Sequence, residues 1–203
     1  MPGTRPGMTE CSESVDFIDG ISGQILRKPD DCGLRHFAAE HEEETDAMTY
    51  CCGILVRDGL VMVADTRTNA GLDNVSTFRK LHVYTEPGER VMALASSGNL
   101  SLSQSVRSIL TEGVENPQTG DMETLLNSPT VFQAAQRIGR TIRAIQAAEG
   151  KALEAASIEH DVAFLFGGQI KGGPLRLFMI YSAGNFIECT TDTPYLQIGE
   201  HKY

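Results

Sequence analysis

Two apolar runs joined by one short charged turn constrain this chain more than any other feature of it. Thr49-Tyr50-Cys51-Cys52-Gly53-Ile54-Leu55-Val56 reads as a strand, Arg57-Asp58-Gly59 as a tight turn with Asp-Gly chemistry, and Leu60 to Ala64 as a second strand. A hairpin of this length returns its end to the side of its start. Asp65, sixteen residues after Thr49, is therefore expected next to it. Leu60–Ala64 contains no polar residue, which predicts burial on both faces. The polar loop Thr66-Arg67-Thr68-Asn69-Ala70-Gly71 follows, with Gly71 supplying backbone freedom.

Strand signals continue at Lys80 to Tyr84 and Arg90 to Ala95, with Glu86-Pro87-Gly88-Glu89 turning between them. Ser96-Ser97-Gly98-Asn99 then leads into a helix whose apolar face is Leu102, Val106, Ile109 and Leu110. A looser stretch, with a short helix expected near Leu125, precedes a longer helix. There Ser128 is the expected N-cap, Pro129 takes the first helical position, and Val131, Ala135, Ile138, Ile142 and Ile145 form one stripe. Arg137, Arg140 and Arg143 lie off the stripe and read as a solvated face. Strands return at Asp161 to Phe166, Leu175 to Tyr181, Phe186 to Thr190 and Pro194 to Gly199, with Ala183-Gly184-Asn185 as a hairpin turn. Strands, two helices, then strands predict an α+β chain of layered sheets with helices packed outside.

Residues 1–47 differ in character. They hold four Lys/Arg against eleven Asp/Glu, or −7 of the net −10, and show no amphipathic period of useful length. They read as a disordered leader, a pro-segment or translation from an upstream start, with residues 48–203 as the functional domain. The acidic balance argues against nucleic acid or an anionic membrane as partner. No apolar run approaches the roughly 20 residues of a spanning helix and no signal peptide is legible, so the cytoplasm is the expected compartment. Five cysteines are an odd number without framework spacing, and the adjacent Cys51 and Cys52 would point to opposite faces of a strand; buried reduced thiols are expected. The five histidines have no metal spacing, so no metal and no cofactor is expected.

The chemistry centres on Thr49. A threonine hydroxyl is a weak nucleophile, but an α-amino group on the same residue, with a pKa near roughly 8, can take its proton. That requires Thr49 to be the first residue. Lys80, thirty-one residues on, opens the next strand, where its charge would lower the pKa of hydroxyl and amine, and Asp65 would hold the ammonium in place. Gly98, at the mouth of a helix, can offer a backbone N–H to an oxyanion. Each has a plainer alternative: Asp65 with Arg67 as a structural ion pair, Lys80 as a solvated strand-end charge, Gly98 as a helix opener. The combination, in this order and spacing, favours the catalytic reading.

At these residues the sequence resembles the proteasome β-subunit family of N-terminal-nucleophile hydrolases, and within it the bacterial Anbu, or proteasome-type protease, branch. The resemblance rests on Met48-Thr49-Tyr50-Cys51, Ala64-Asp65-Thr66-Arg67-Thr68-Asn69-Ala70-Gly71, Ser76-Thr77-Phe78-Arg79-Lys80 and Ser97-Gly98-Asn99-Leu100, with Gly184-Asn185-Phe186-Ile187 and Gln197-Ile198-Gly199-Glu200 later in the chain. It spans Met48 to Tyr203. It implies a four-layer αββα sandwich, Thr49 as nucleophile with its own amine as base, Asp65 and Lys80 as the activating pair, Arg67 as support and Gly98 as oxyanion donor. It also implies self-assembly into rings or open helical rings and hydrolysis of a peptide or amide bond.

Two departures from the family pattern bear on activity. The family begins at the methionine before the nucleophile, whereas 47 residues precede it here, and self-cleaving relatives cut after glycine rather than methionine. The family also continues past the position of Tyr203, so a C-terminally incomplete sandwich is expected. No ATP-binding glycine loop with a following lysine is present, so ATP-driven unfolding would need a separate partner. The alternatives are a noncatalytic ring or scaffold subunit with Thr49 unprocessed, and an amidohydrolase acting on a small amide.

Overall fold

The Arg57-Asp58 turn sets the architecture. In a computed structural model of the chain it joins β3 (Tyr50–Val56) to β4 (Gly59–Asp65), with Val56 opposite Gly59 and Cys51 opposite Ala64. The structure describes residues 49–66, 78–116 and 118–199, together with the backbone of 15–18 and 21–27. The remaining elements are β1 (Val15–Ile18), β2 (Ile21–Arg27), β5 (Leu81–Glu86), β6 (Arg90–Gly98), α1 (Leu100–Glu112), β7 (Val114–Glu115), β8 (Met122–Glu123), α2 (Val131–Ala155), β9 (Val162–Ile170), β10 (Arg176–Ile180), β11 (Phe186–Glu188) and β12 (Tyr195–Gly199). They form two five-stranded sheets, ordered β1-β2-β4-β3-β12 and β11-β10-β9-β6-β5, and a small β7-β8 pair. Every pairing is antiparallel.

The period-2 alternation of the second sheet divides the core in two. Met92 and Leu94 of β6, Phe164 and Phe166 of β9, and Phe178 and Ile180 of β10 meet Leu102, Val106 and Leu110 of α1 and Ile138, Ile142 and Ile145 of α2. The intervening Ala93, Ala95, Leu165 and Leu177 point the other way, onto Cys51, Leu60, Met62 and Ala64 of the first sheet. β6 and β9 are thus apolar on both faces because a layer covers each. The helix–sheet–sheet stack accounts for three layers among the described residues. On the outer face of the first sheet Tyr50, Ile54, Val56 and Tyr195 are each 39–54% exposed.

Several expectations change. β4 is buried on one face only: Leu60, Met62 and Ala64 are buried, while Val61 and Val63 are half-buried on the outer face. The cap of α2 is Thr130, whose side chain accepts from the N–H of Gln133, two residues beyond the expected Ser128. Ser128 instead packs in the core, and Leu125 sits in a turn rather than a short helix. β1 and β2 lie where no amphipathic period was legible. Ile18 pairs with Ile21 in antiparallel register. β2 runs along all of β4, with Ile21 opposite Asp65 and Arg27 opposite Gly59.

Candidate active site

The end of the β3–β4 hairpin delivers Thr49 and Asp65 side by side, as its length requires. Tyr50 is the first residue of β3 and Asp65 the last of β4, each one step beyond the Cys51–Ala64 pair; the Tyr50 N–H donates to Asp65 Oδ1 at 2.9 Å. The second sheet supplies the third member. Lys80 immediately precedes β5, and its carbonyl accepts from the N–H of Ser96 on β6, which fixes where its side chain enters the gap between the sheets. Lys80 Nζ donates to Thr49 Oγ1 at 2.8 Å and to Asp65 Oδ1 and Oδ2 at 3.0 and 2.9 Å.

Lys80 is only 3% exposed. An ammonium removed from water to that degree is costly unless it is paired and hydrogen-bonded, and here three oxygens surround it. Asp65 satisfies the charge while its side chain stays 19% exposed. The arrangement holds a positive charge against the hydroxyl oxygen of Thr49, where negative charge would grow if the hydroxyl lost its proton. The Asp65 carboxylate is engaged by Lys80 and the Tyr50 N–H, so the base expected for that proton is the α-amino group of Thr49. As long as residue 48 is attached, the nitrogen of Thr49 is an amide and cannot accept it.

Neighbouring groups are chemically quiet. The Cys51 thiol, directed into the sheet interface and donating to Ser96 O at 3.6 Å, is pushed up to about 12 by burial and then by the nearby Asp65 carboxylate. It stays protonated and does not compete as a nucleophile. Burial, and then the Arg107 charge, bring His82 down to about 4, and its Nε2 lies 3.0 Å from the Arg79 carbonyl. Cys51, Cys52 and Cys189 are free thiols, with Cys51 buried and Cys52 half-buried on the opposite face of β3. Among the described residues no group of three His, Cys, Asp or Glu side chains comes together as metal ligands.

Of the residues singled out from sequence, Thr49, Asp65 and Lys80 are thus brought into contact. Gly98 ends β6, two residues past Ser96, at φ +90°, where an added Cβ would lie 2.3 Å from the Asp161 carbonyl; only glycine fits. Arg67 lies outside the described residues. Sequence reasoning gave no role to Gly199. It pairs with Tyr50 at φ +94°, and a Cβ there would stand 2.0 Å from the carbonyl oxygen of Thr49. β12 therefore braces the backbone of the candidate nucleophile itself. The available signal was a lone glycine closing an apolar strand, which often marks close backbone approach.

A scan against protein-family models and a search of curated proteins each return no match. Solved structures do match. Anbu (ancestral beta-subunit) from Yersinia bercovieri is 44% identical, over 76% of this chain and 62% of that one, with a TM-score of 0.66. Anbu from Hyphomicrobium sp. strain MC1 is 45% identical over the same shares, with a TM-score of 0.63. The helical assembly of the Anbu complex from Pseudomonas aeruginosa is 44% identical, again over 76% and 62%, with a TM-score of 0.67. The chain therefore spans 62% of the length of these Anbu chains. In sequence and in fold alike, this chain is close to the Anbu proteins of the proteasome β-subunit lineage.

Proposed function

We propose that this chain is a threonine-type hydrolase of peptide or amide bonds, in which Thr49 becomes the nucleophile once residues 1–48 are removed. The observation that carries the reading is the buried Lys80 ammonium, 2.8 Å from Thr49 Oγ1 and clasped by Asp65. A solvated strand-end lysine would have no reason to be buried there.

In the proposed reaction the freed α-amino group of Thr49 takes the proton from Oγ1, and the oxygen attacks the substrate carbonyl carbon. Lys80 stabilises the developing alkoxide, and the N–H of Gly98 donates to the oxyanion of the tetrahedral intermediate. The proton passes to the leaving nitrogen, the C–N bond breaks and an ester to Thr49 remains. A water deprotonated by the same amine attacks that ester, and Oγ1 leaves with the proton. Arg67 belongs to the proposed site as a support, and no cofactor takes part.

The wider reading follows the same line. Residues 48–203 form the hydrolase domain and residues 1–47 a leader or pro-segment. The exposed apolar side chains on the outer face of the first sheet support a further helical layer there, which would make the fold a four-layer αββα sandwich. A helical assembly is known for Anbu from Pseudomonas aeruginosa, which supports a ring or open helical ring of copies here. The compartment proposed is the cytoplasm, with a separate ATP-dependent partner for folded substrates.

A second reading has an observation of its own. β2 pairs along the whole of β4, starting opposite Asp65 and ending opposite Gly59, so residues 21–27, ahead of Thr49 in the chain, are built into the sheet. A subunit that keeps it would be a noncatalytic scaffold. Intact-mass measurement of the mature protein separates the two. A chain beginning at Thr49, labelled by a threonine-directed electrophile in the parent and unlabelled in Thr49→Ala, supports the hydrolase. Retention of residues 1–48, or equal labelling of the variant, refutes it for this protein. A panel of fluorogenic peptides and small amides then distinguishes a peptidase from a small-amide amidohydrolase.

A further inference from the structure

The outer face of α2 carries a groove of about 490 Å³ that the catalytic reading does not use. Gln133, Gln136, Arg137, Arg140 and Arg143 line its helical side, with Glu123 of β8 and the turn at Gly184 as walls. Residues three and four apart share a helix face, and at a rise of about 1.5 Å per residue Arg137 to Arg143 extends about 9 Å. Arg140 and Arg143 are exposed, as expected of a solvated face, whereas Arg137 is half-buried, and walls flank the three.

What holds the arginines decides what they can bind. Arg137, its side chain only 12% exposed, donates through Nη1 to the Thr124 carbonyl, Asn127 Oδ1 and Ser128 Oγ. Arg143 Nη1 donates to the Gly184 carbonyl at 2.8 Å. These are neutral acceptors, which orient a guanidinium without cancelling its charge. Glu123 is the one carboxylate lining the groove, 3.4 Å from Arg137 Nε and 3.1 Å from Arg140 Nη2. Three cations against one anion leave the groove at +2 in a chain whose net charge is −10. Anchoring the loop and the turn explains the placement of Arg137 and Arg143, and the ion pair with Glu123 that of Arg140, which stays 58% exposed and shares that one carboxylate with Arg137.

We infer that this groove binds an acidic peptide segment of a partner protein. Guanidinium groups spaced along about 9 Å suit carboxylates on an extended chain, whose same-side residues repeat at about 6.6 Å. The carboxamides of Gln133 and Gln136 both donate and accept, which matches the N–H and C=O groups of a peptide backbone and is wasted on an oligophosphate. Pro129 and the half-buried Phe186 add apolar contact at the same groove. The inference is independent of any hydrolytic activity.

The test uses the full chain and fluorescein-labelled hexaglutamate, followed by fluorescence anisotropy at low and at physiological ionic strength. Saturable binding that weakens with salt is expected. Arg140→Glu with Arg143→Glu should weaken it by about tenfold or more, and Arg140→Gln by less. Gln133→Ala with Gln136→Ala should weaken the peptide but not inorganic triphosphate. Circular dichroism checks each fold; should the double charge reversal misfold, Arg140→Gln at its exposed position carries the comparison. Absence of binding, binding indifferent to the arginine variants, or triphosphate binding as tightly as the peptide would each overturn the inference.

Discussion

Lys80→Met isolates the contribution of one charge. Methionine keeps an unbranched stem of similar length and removes the ammonium, so packing between the sheets is nearly conserved. Two losses follow. Asp65 loses its ion pair but keeps the Tyr50 N–H at 2.9 Å and partial contact with water. Breaking a buried pair costs about 3–5 kcal/mol, and the 19% exposure of Asp65 places the expected loss at the low end, about 3 kcal/mol. At the site, Thr49 Oγ1 loses a charge-assisted hydrogen bond of 2.8 Å. Such a bond contributes about 1.5–3 kcal/mol, and with each ~1.4 kcal/mol worth a factor of ten in rate, labelling of processed protein should slow roughly 10- to 150-fold. The nearby charge also lowers the pKa of the Thr49 amine, so its removal should shift the pH profile of labelling upward. The assay is the rate of adduct formation by intact-mass spectrometry, with urea denaturation in parallel. A folded Lys80→Met protein that labels at the parent rate with an unchanged pH profile would refute the role given to Lys80. Lys80→Arg should not rescue, because a planar fork does not reproduce the contacts of one ammonium with Thr49 Oγ1 and both Asp65 oxygens.

Two further outcomes are expected. Gly199→Ala places a Cβ 2.0 Å from the Thr49 carbonyl oxygen at φ +94°, costing about 1–3 kcal/mol in strain. It should slow labelling by more than its effect on the urea midpoint accounts for, and an unchanged labelling rate would remove Gly199 from the site. His82 has a folded pKa of about 4, below its ordinary 6.5. The unfolded chain therefore takes up a proton that the folded one refuses, so the stability is complete above about pH 6.5 and is lost as pH falls toward 4. Allowing for solvent screening of the partly exposed ring, the loss is about 1–2 kcal/mol. Urea midpoints between pH 7 and 4 should fall less steeply in His82→Gln, and parallel curves would show that another group carries the dependence.

The sequence by itself determined the hairpin, the stripes of both helices and the return of Asp65 to the side of Thr49. These follow from turn chemistry, apolar periodicity and strand length, all local properties that survive without knowledge of the partner layer. The tertiary structure alone decided the rest. Val61 and Val63 of β4 are as apolar as their neighbours, yet face outward, because burial depends on what covers a sheet and not on the strand's own pattern. Arg137 looks like any arginine off a helical stripe until loop 124–128 folds over it and offers the Thr124 carbonyl and the side-chain oxygens of Asn127 and Ser128. Gly199 is one glycine among 20, distinguished only when β12 pairs beside Tyr50 and leaves no space between its backbone and the Thr49 carbonyl. Each of these is a contact between segments distant in sequence, and no local pattern encodes the neighbour that a residue will meet.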